Sequence, residues 1–458
     1  MQRGMKNTEK SSLRYIPNTK EQQEEMLKEI GVPFFEHLLN SIPVGIRLKS
    51  DLKIPDKISE QELFEKIHKI SQKNLNFIDF KPLIGAGSYR HYIPEVVRTV
   101  VSFSEFYTAY TPYQPEISQG TLQTMFEVQT HLTRLTGMDV VMPSIYDGAS
   151  ATAESVLMAL RINNKKKVIL SSLLHPHYKE TVKTYTKSHR IEIIEMPQKK
   201  GLIETEELKK LIDSDTACVV VQNPNFFGGI ENIELISNIA HENGAIVILI
   251  VIESLSLALL KSCKETGADI VAGETQSLGI DLNFGGPYNG FIASKENYIR
   301  QIPGRIAGET TDVEGNRAFV MTLRAREQDI RREKATSNLC SNHALNLFAI
   351  NAYISLLGKE GLYKLAVLNT KSAHYLRNKL IETGKFYGDD YPFFNEFVLR
   401  TKDDPKLIRE KLFKAGFLPP LKVSDFFPAL TNNLLFAVTE TLSKEDLNKV
   451  VDIIRSLK

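Results

Sequence analysis

Between Val140 and Ala272 the sequence alternates short apolar, β-branched runs with stretches of helical periodicity, and no other feature restricts the possible folds as strongly. Such alternation is the signature of βαβ units, in which a helix crosses over and returns the chain to a parallel strand. Strands are expected near 140–145, 168–171, 191–196, 217–222, 245–252 and 269–272, with helices starting near Ala149, Tyr178, Thr205, Glu231 and Leu255. The run AIVILIVI, from Ala245 to Ile252, is apolar at every position rather than at alternate ones. A strand of that kind must be covered on both faces. The expected fold is therefore α/β, with a mostly parallel, doubly wound sheet in a large domain.

The flanks read differently. Residues 8–74 are polar with apolar positions at helical spacing, as in EQQEEMLKEIG and SEQELFEKIHKI; Ser59 and Glu62 form a capping box, and Gly31 ends the earlier helix. Helices this short bury little alone, so they are expected to pack on the body of the protein or on a partner. After about Arg331 a long helical stretch runs to Gly358, and the remainder reads helix, strand, helix, strand, helix. Its last helix has Ser443 as cap, Asp446 three residues on, and Leu447, Val450, Val451 and Ile454 on one face. The expected division is a helical arm over 1–75, a large α/β domain over 76–330, and a linking helix with a small α+β domain over 331–458.

Composition removes several classes. Fifty-seven Lys+Arg against 55 Asp+Glu leave a formal charge of +2 over 458 residues, too little for nucleic acid or an anionic membrane to be the main partner. The most apolar run is far short of the roughly 20 residues a spanning helix needs. MQRGMKNTEKSS has no apolar core and is not expected to be a secretory signal. Cys218, Cys263 and Cys340 are scattered, which argues against a disulfide framework or a cysteine zinc site and for a reducing cytoplasm.

Ligands of open α/β sheets bind beyond the carboxyl ends of the strands, so the turns there are where binding chemistry is expected. In IYDGASATAES, Gly148, Ala149 and Ser150 open a helix whose free N–H groups suit a phosphate, although a plain capped turn reads the same. Glu253 ends the central strand, placed either to pair with a cofactor's pyridinium nitrogen or to cap the next helix. From Gly267 to Pro287, where a pyridoxal enzyme would carry its imine-forming lysine, there is none; Lys264 and Lys295 lie outside. In EFYTAYTPYQPEISQGTLQ, Pro112 and Pro115 hold an extended segment carrying Tyr110, Thr111, Tyr113, Gln114, Glu116 and Gln119, which suits either a substrate or partner site or a packed interface. RAREQDIRREK is expected to be a solvated helix face, some of whose arginines bind a carboxylate or a partner, and His175 and His177 lack a third ligand for a metal.

Several long strings in the same order, YTAYTPYQPEISQGTLQ, IYDGASATAE, PGRIAGET and IRREKATSNLCSN, resemble the glycine cleavage system P-protein family in its first-subunit form, and RYIPNTKEQQEEML with IGVPFFEHLLNSIPVGIRLK extend the resemblance over nearly the whole chain. It implies a type I pyridoxal-phosphate-dependent transferase-like fold: an N-terminal arm, a large domain and a small C-terminal domain. It also implies a glycine dehydrogenase (aminomethyl-transferring, decarboxylating) built of two kinds of subunit, an α2β2 heterotetramer acting with a lipoylated H-protein. Pyridoxal phosphate and its Schiff-base lysine then belong to the second subunit. Counting back from Gly285, Gly286 and Pro287 places Gln276 at the lysine's position, Glu253 at that of the pyridinium-pairing acid, and Gly148, Ala149 and Ser150 at a vestigial phosphate turn. Glutamate at 253 departs from the neutral residue common in first subunits. No catalytic residue and no metal ligand is expected here; Tyr110, Thr111, Tyr113, Gln114, Glu116 and Gln119 would shape the partner's active site and the path of the lipoyl arm.

Overall fold

The central apolar run forms the strand Ile246–Val251, fourth of seven in one sheet. The computed structural model describes residues 18–48, 50, 52–339 and 343–457. Across the sheet the strands run in the order Val140–Ile145, Gly290–Ser294, Ile270–Glu274, Ile246–Val251, Thr216–Gln222, Lys167–Ser171 and Glu192–Met196. Gly290–Ser294 is antiparallel to both neighbours, and the other pairs are parallel. Successive side chains of a strand point to opposite faces. Val219, Val221, Val247, Leu249 and Val251 accordingly enter one core, while Cys218, Val220, Ile246, Ile248 and Ile250 enter a second on the other face. Both faces are dry, which is why these runs are continuous rather than alternating in polarity.

All six expected strands form, and helices begin at Gly148, Pro176, Thr205 and Ile233. The helix expected from Leu255 is instead a single 3-10 segment, Ser254–Ala258. The Glu253 carboxylate accepts the Leu255 amide at 3.0 Å, and this local cap opens a tight i→i−3 turn that runs no further than Ala258. The arginine-rich stretch is not one solvated face either: it breaks into Arg324–Arg326, Gln328–Arg331 and Arg332–Lys334. Arg326 turns inward and donates to the carbonyl oxygens of Ile302 and Gly304.

The long helix spans Ala344–Glu382, interrupted at Gly358, whose φ of 59° and ψ of −174° are non-helical. It leads to a second, antiparallel sheet ordered Phe386–Tyr387, Glu396–Thr401, Asn433–Ala437, Leu421–Lys422, with its own core around Phe397, Leu399, Phe436 and Ile454. Ser443 and Asp446 form the capping box that opens Lys444–Arg455.

Residues 1–74 and 75–458 are two compact units. In the first, Lys20–Ile30 ends on a left-handed Gly31 and Glu60–Ser71 starts at the Ser59–Glu62 capping box; among the described residues none of this unit is buried. The helical reading of residues 8–17 and the position of Cys340 lie outside the described residues. Among those described, no helix is long and apolar enough to cross a membrane, and no cluster of three metal-ligating side chains occurs.

Candidate functional site

The parallel strands end on one side of the large sheet, and Gly148, Ala149, Ser150, Glu253, Gln276 and His175 lie around those ends. Asp147 caps the helix Gly148–Asn163 through the Ser150 amide at 2.7 Å. The Gly148 amide donates to Glu274 at 3.0 Å, and the same carboxylate accepts from Thr275 and Asn289 at 2.9 and 3.0 Å. Burial pushes the Glu274 carboxyl up to about 7, against the pull of those three amides. A Cβ at Gly148 would lie 2.3 Å from the Tyr178 hydroxyl, so this position tolerates nothing larger than glycine. The helix N-terminus, with Ala149 half-buried and Ser150 buried, therefore already carries a carboxylate and is covered by a phenol.

Glu253 leaves the central strand buried, with its second oxygen 3.2 Å from His91 Nε2. His91 Nδ1 is 2.9 Å from Glu440, beyond the second sheet. Burial alone would strip the charge from this imidazole, but the two carboxylates outweigh it and hold the ring cationic, up to about 10. Gln276 is tied at both ends of its amide: the oxygen accepts from the Tyr89 amide at 3.0 Å, and the nitrogen donates to the Ile280 carbonyl at 2.9 Å. His175 accepts from the His177 amide through Nδ1 and donates through Nε2 to the Ala86 carbonyl at 2.9 Å; burial lowers it to about 4, which leaves a neutral ring.

The tyrosine-rich segment lies apart, on the surface. Tyr110 and Tyr113 are exposed, as are Gln114 and Glu116, while Thr111 is half-buried. The Arg305 guanidinium donates to the Tyr113 hydroxyl at 3.2 Å and sits 5.4 Å from its ring centre, with Arg324 at 5.9 Å. Gln119 is engaged internally, exchanging two 2.9 Å bonds with the backbone of Phe319. This anchors the helix Gln119–Thr136 to the hairpin strand Arg317–Thr322.

Pyridoxal phosphate needs an imine-forming lysine, an acid free for its ring nitrogen and open amides for its phosphate. The positions that the sequence resemblance assigns to these groups hold Gln276, a Glu253 bound to His91, and a Gly148 amide bound to Glu274. The residues present do not fit a resident cofactor.

A sequence model of the glycine cleavage system P-protein matches residues 13–454. The chain belongs to this family. A relative described as probable glycine dehydrogenase (decarboxylating) subunit 1 from Desulfitobacterium hafniense is 46% identical over 96% of this chain and 98% of its own length. One of the same description from Moorella thermoacetica is 45% identical over 97% of this chain and 99% of itself. Among solved structures, an inhibitor-bound glycine decarboxylase (P-protein) of the glycine cleavage system superposes with a TM-score of 0.87 at 37% identity, covering 96% of this chain and 99% of that one. A sphingosine-1-phosphate lyase from Burkholderia pseudomallei, at 13% identity and TM-score 0.64, covers 90% of this chain and 93% of its own and shows the same fold alone. The fold of this P-protein family member is thus the type I pyridoxal-phosphate-dependent transferase-like one.

Sequence reasoning missed His91, Tyr89, Glu274, Glu396 and Glu440. Glu274 alone had a local signal, a carboxylate at the end of a buried strand. His91 meets its carboxylates across 162 and 349 residues of chain, a separation that no periodicity reports.

Proposed function

We propose that this chain is subunit 1 of a glycine dehydrogenase (decarboxylating), an α2β2 heterotetramer of the cytoplasm whose second subunit holds pyridoxal phosphate. The assembled enzyme decarboxylates glycine and passes the aminomethyl group to the lipoyl arm of the H-protein. The cofactor supplies the electron sink for loss of carbon dioxide. The observation that carries this reading is Gln276, an amide hydrogen-bonded at both ends at the position where the imine lysine would stand. Full-length similarity to relatives described as subunit 1 supports it. In this reading Tyr110, Thr111, Tyr113, Gln114 and Glu116 face the partner's active site and the lipoyl path, and the Gln119 amide fixes the segment's end.

The rival reading is a scaffold that docks the partner or the H-protein without influence on the chemistry. Purifying the chain alone and with the second subunit separates the two. Absorbance near 400 nm and borohydride trapping are expected on the second subunit only, with glycine–bicarbonate exchange only in the mixture. Trapping on the isolated chain would overturn the proposal, and full exchange by the second subunit alone would favour the scaffold.

A further inference from the structure

Residues 86–92 run through the crevice beyond the strand ends, bonded in turn to each side of it. Toward the large sheet, the Ala86 carbonyl accepts from His175 at 2.9 Å, the Tyr89 amide donates to Gln276 at 3.0 Å, and His91 meets Glu253 at 3.2 Å. Toward the second sheet, the Ala86 amide and the Tyr89 hydroxyl donate to Glu396 at 2.6 and 2.8 Å, the Arg90 carbonyl accepts from Thr439 at 2.7 Å, and the Tyr92 amide donates to Glu440 at 2.6 Å. Glu440 is held in turn by Asn369 of the long helix at 3.1 Å. Tyr89 and His91 are 5% and 7% exposed, so the strap fills the space rather than crossing its mouth.

That crevice is where an open α/β sheet takes its ligand. We infer that residues 86–92 are an intramolecular occupant of this chain's own ligand crevice, locked in place by the His91 ring, which bridges Glu253 and Glu440. The inference goes beyond the function proposed above, which requires only that no imine lysine be present, and it concerns this chain with or without a partner. The lock is ionic on both sides. Removing the imidazole leaves the buried Glu253 and the half-buried Glu440 carboxylates without compensation, and such a site relaxes by releasing the segment that holds it. Whatever enters the crevice must first displace the strap.

Amide hydrogen exchange on the full-length chain reads this directly, because the Ala86, Tyr89 and Tyr92 amides all donate to side chains that only the seated strap reaches. In the wild type the peptide covering 84–92 is expected to be protected like the sheet strands. His91→Gln should speed its exchange about tenfold or more and leave the peptide covering 216–222 unchanged. The double variant His91→Gln with Glu253→Gln replaces an unpaired charge by a neutral hydrogen-bonded pair and should recover part of the protection. Should His91→Gln fail to fold, Glu440→Ala removes the acceptor on the second-sheet side alone and should speed exchange at Tyr92. Wild-type strap amides exchanging as in an unfolded peptide would overturn the inference, as would unchanged strap exchange in the single variants, or a double variant no better protected than His91→Gln.

Discussion

The Gly148 amide, first of its helix, donates to the Glu274 carboxylate at 3.0 Å, and both residues are buried. A helix N-terminus attracts negative charge, and this one is served from within the chain by the end of a neighbouring strand. The arrangement has a measurable consequence in pH.

Glu274 is raised from 4.5 to about 7 by burial, and Glu396 likewise, so the folded chain binds protons that the unfolded chain releases between those values. The stabilisation is complete below the unfolded pKa and is lost as pH rises through the folded one. It amounts to about 3 kcal/mol per group at one pKa unit per ~1.4 kcal/mol. Urea unfolding free energy should fall between pH 5 and 8, and Glu274→Gln should flatten that fall. An equal slope in wild type and variant would refute the assignment.

His91, raised to about 10, carries the opposite charge but the same sign of linkage. Its contribution is present below the free imidazole value of 6.5 and disappears as pH climbs through 10. Nitrogen-detected NMR should show both ring nitrogens protonated at pH 8, and His91→Ala should cost about 3–5 kcal/mol, as expected when a buried pair loses one partner. A neutral ring at pH 8 would contradict the two-carboxylate geometry.

Gly228 has φ of +82°, and a Cβ there would lie 1.8 Å from the Glu396 carbonyl oxygen, where the large-sheet loop meets the second sheet. Backbone cannot yield as a side-chain tip can. Gly228→Ala is expected to destabilise the chain by about 3 kcal/mol or more, visible as a lowered Tm in a thermal melt.

On the surface, Tyr113→Phe removes the acceptor for Arg305 but little packing, since the ring is exposed. Stability should change by no more than about 0.5 kcal/mol. On the function proposed above, glycine–bicarbonate exchange by the chain with its second subunit should drop for Tyr113→Phe and for Glu116→Gln; unchanged exchange in both would refute the proposed role of this segment.

Much of the fold was legible locally. The run from Ala245 to Ile252 announces a strand covered on both faces, and Ser59–Glu62, Gly31 and Ser443–Asp446 mark helix ends, because caps and apolar periods act within a few residues. The place of Glu253 at a strand end is legible in the same way, yet its partner His91 is not, since a carboxylate's neighbours depend on how distant segments pack. The arginine-rich stretch misled for a related reason: solvation is the default for charge, and only the carbonyl oxygens of Ile302 and Gly304 draw Arg326 inward.

The alternating strands and helices, the near-neutral charge, and the absence of lysine between Gly267 and Pro287 are written in residue identity and short-range order. What fills the crevice depends instead on long-range packing. The strap with its His91, Glu274, Glu396 and Glu440 come from separate regions of the chain, and in a dry interior each buried charge or amide must find whichever partner the packing brings within reach.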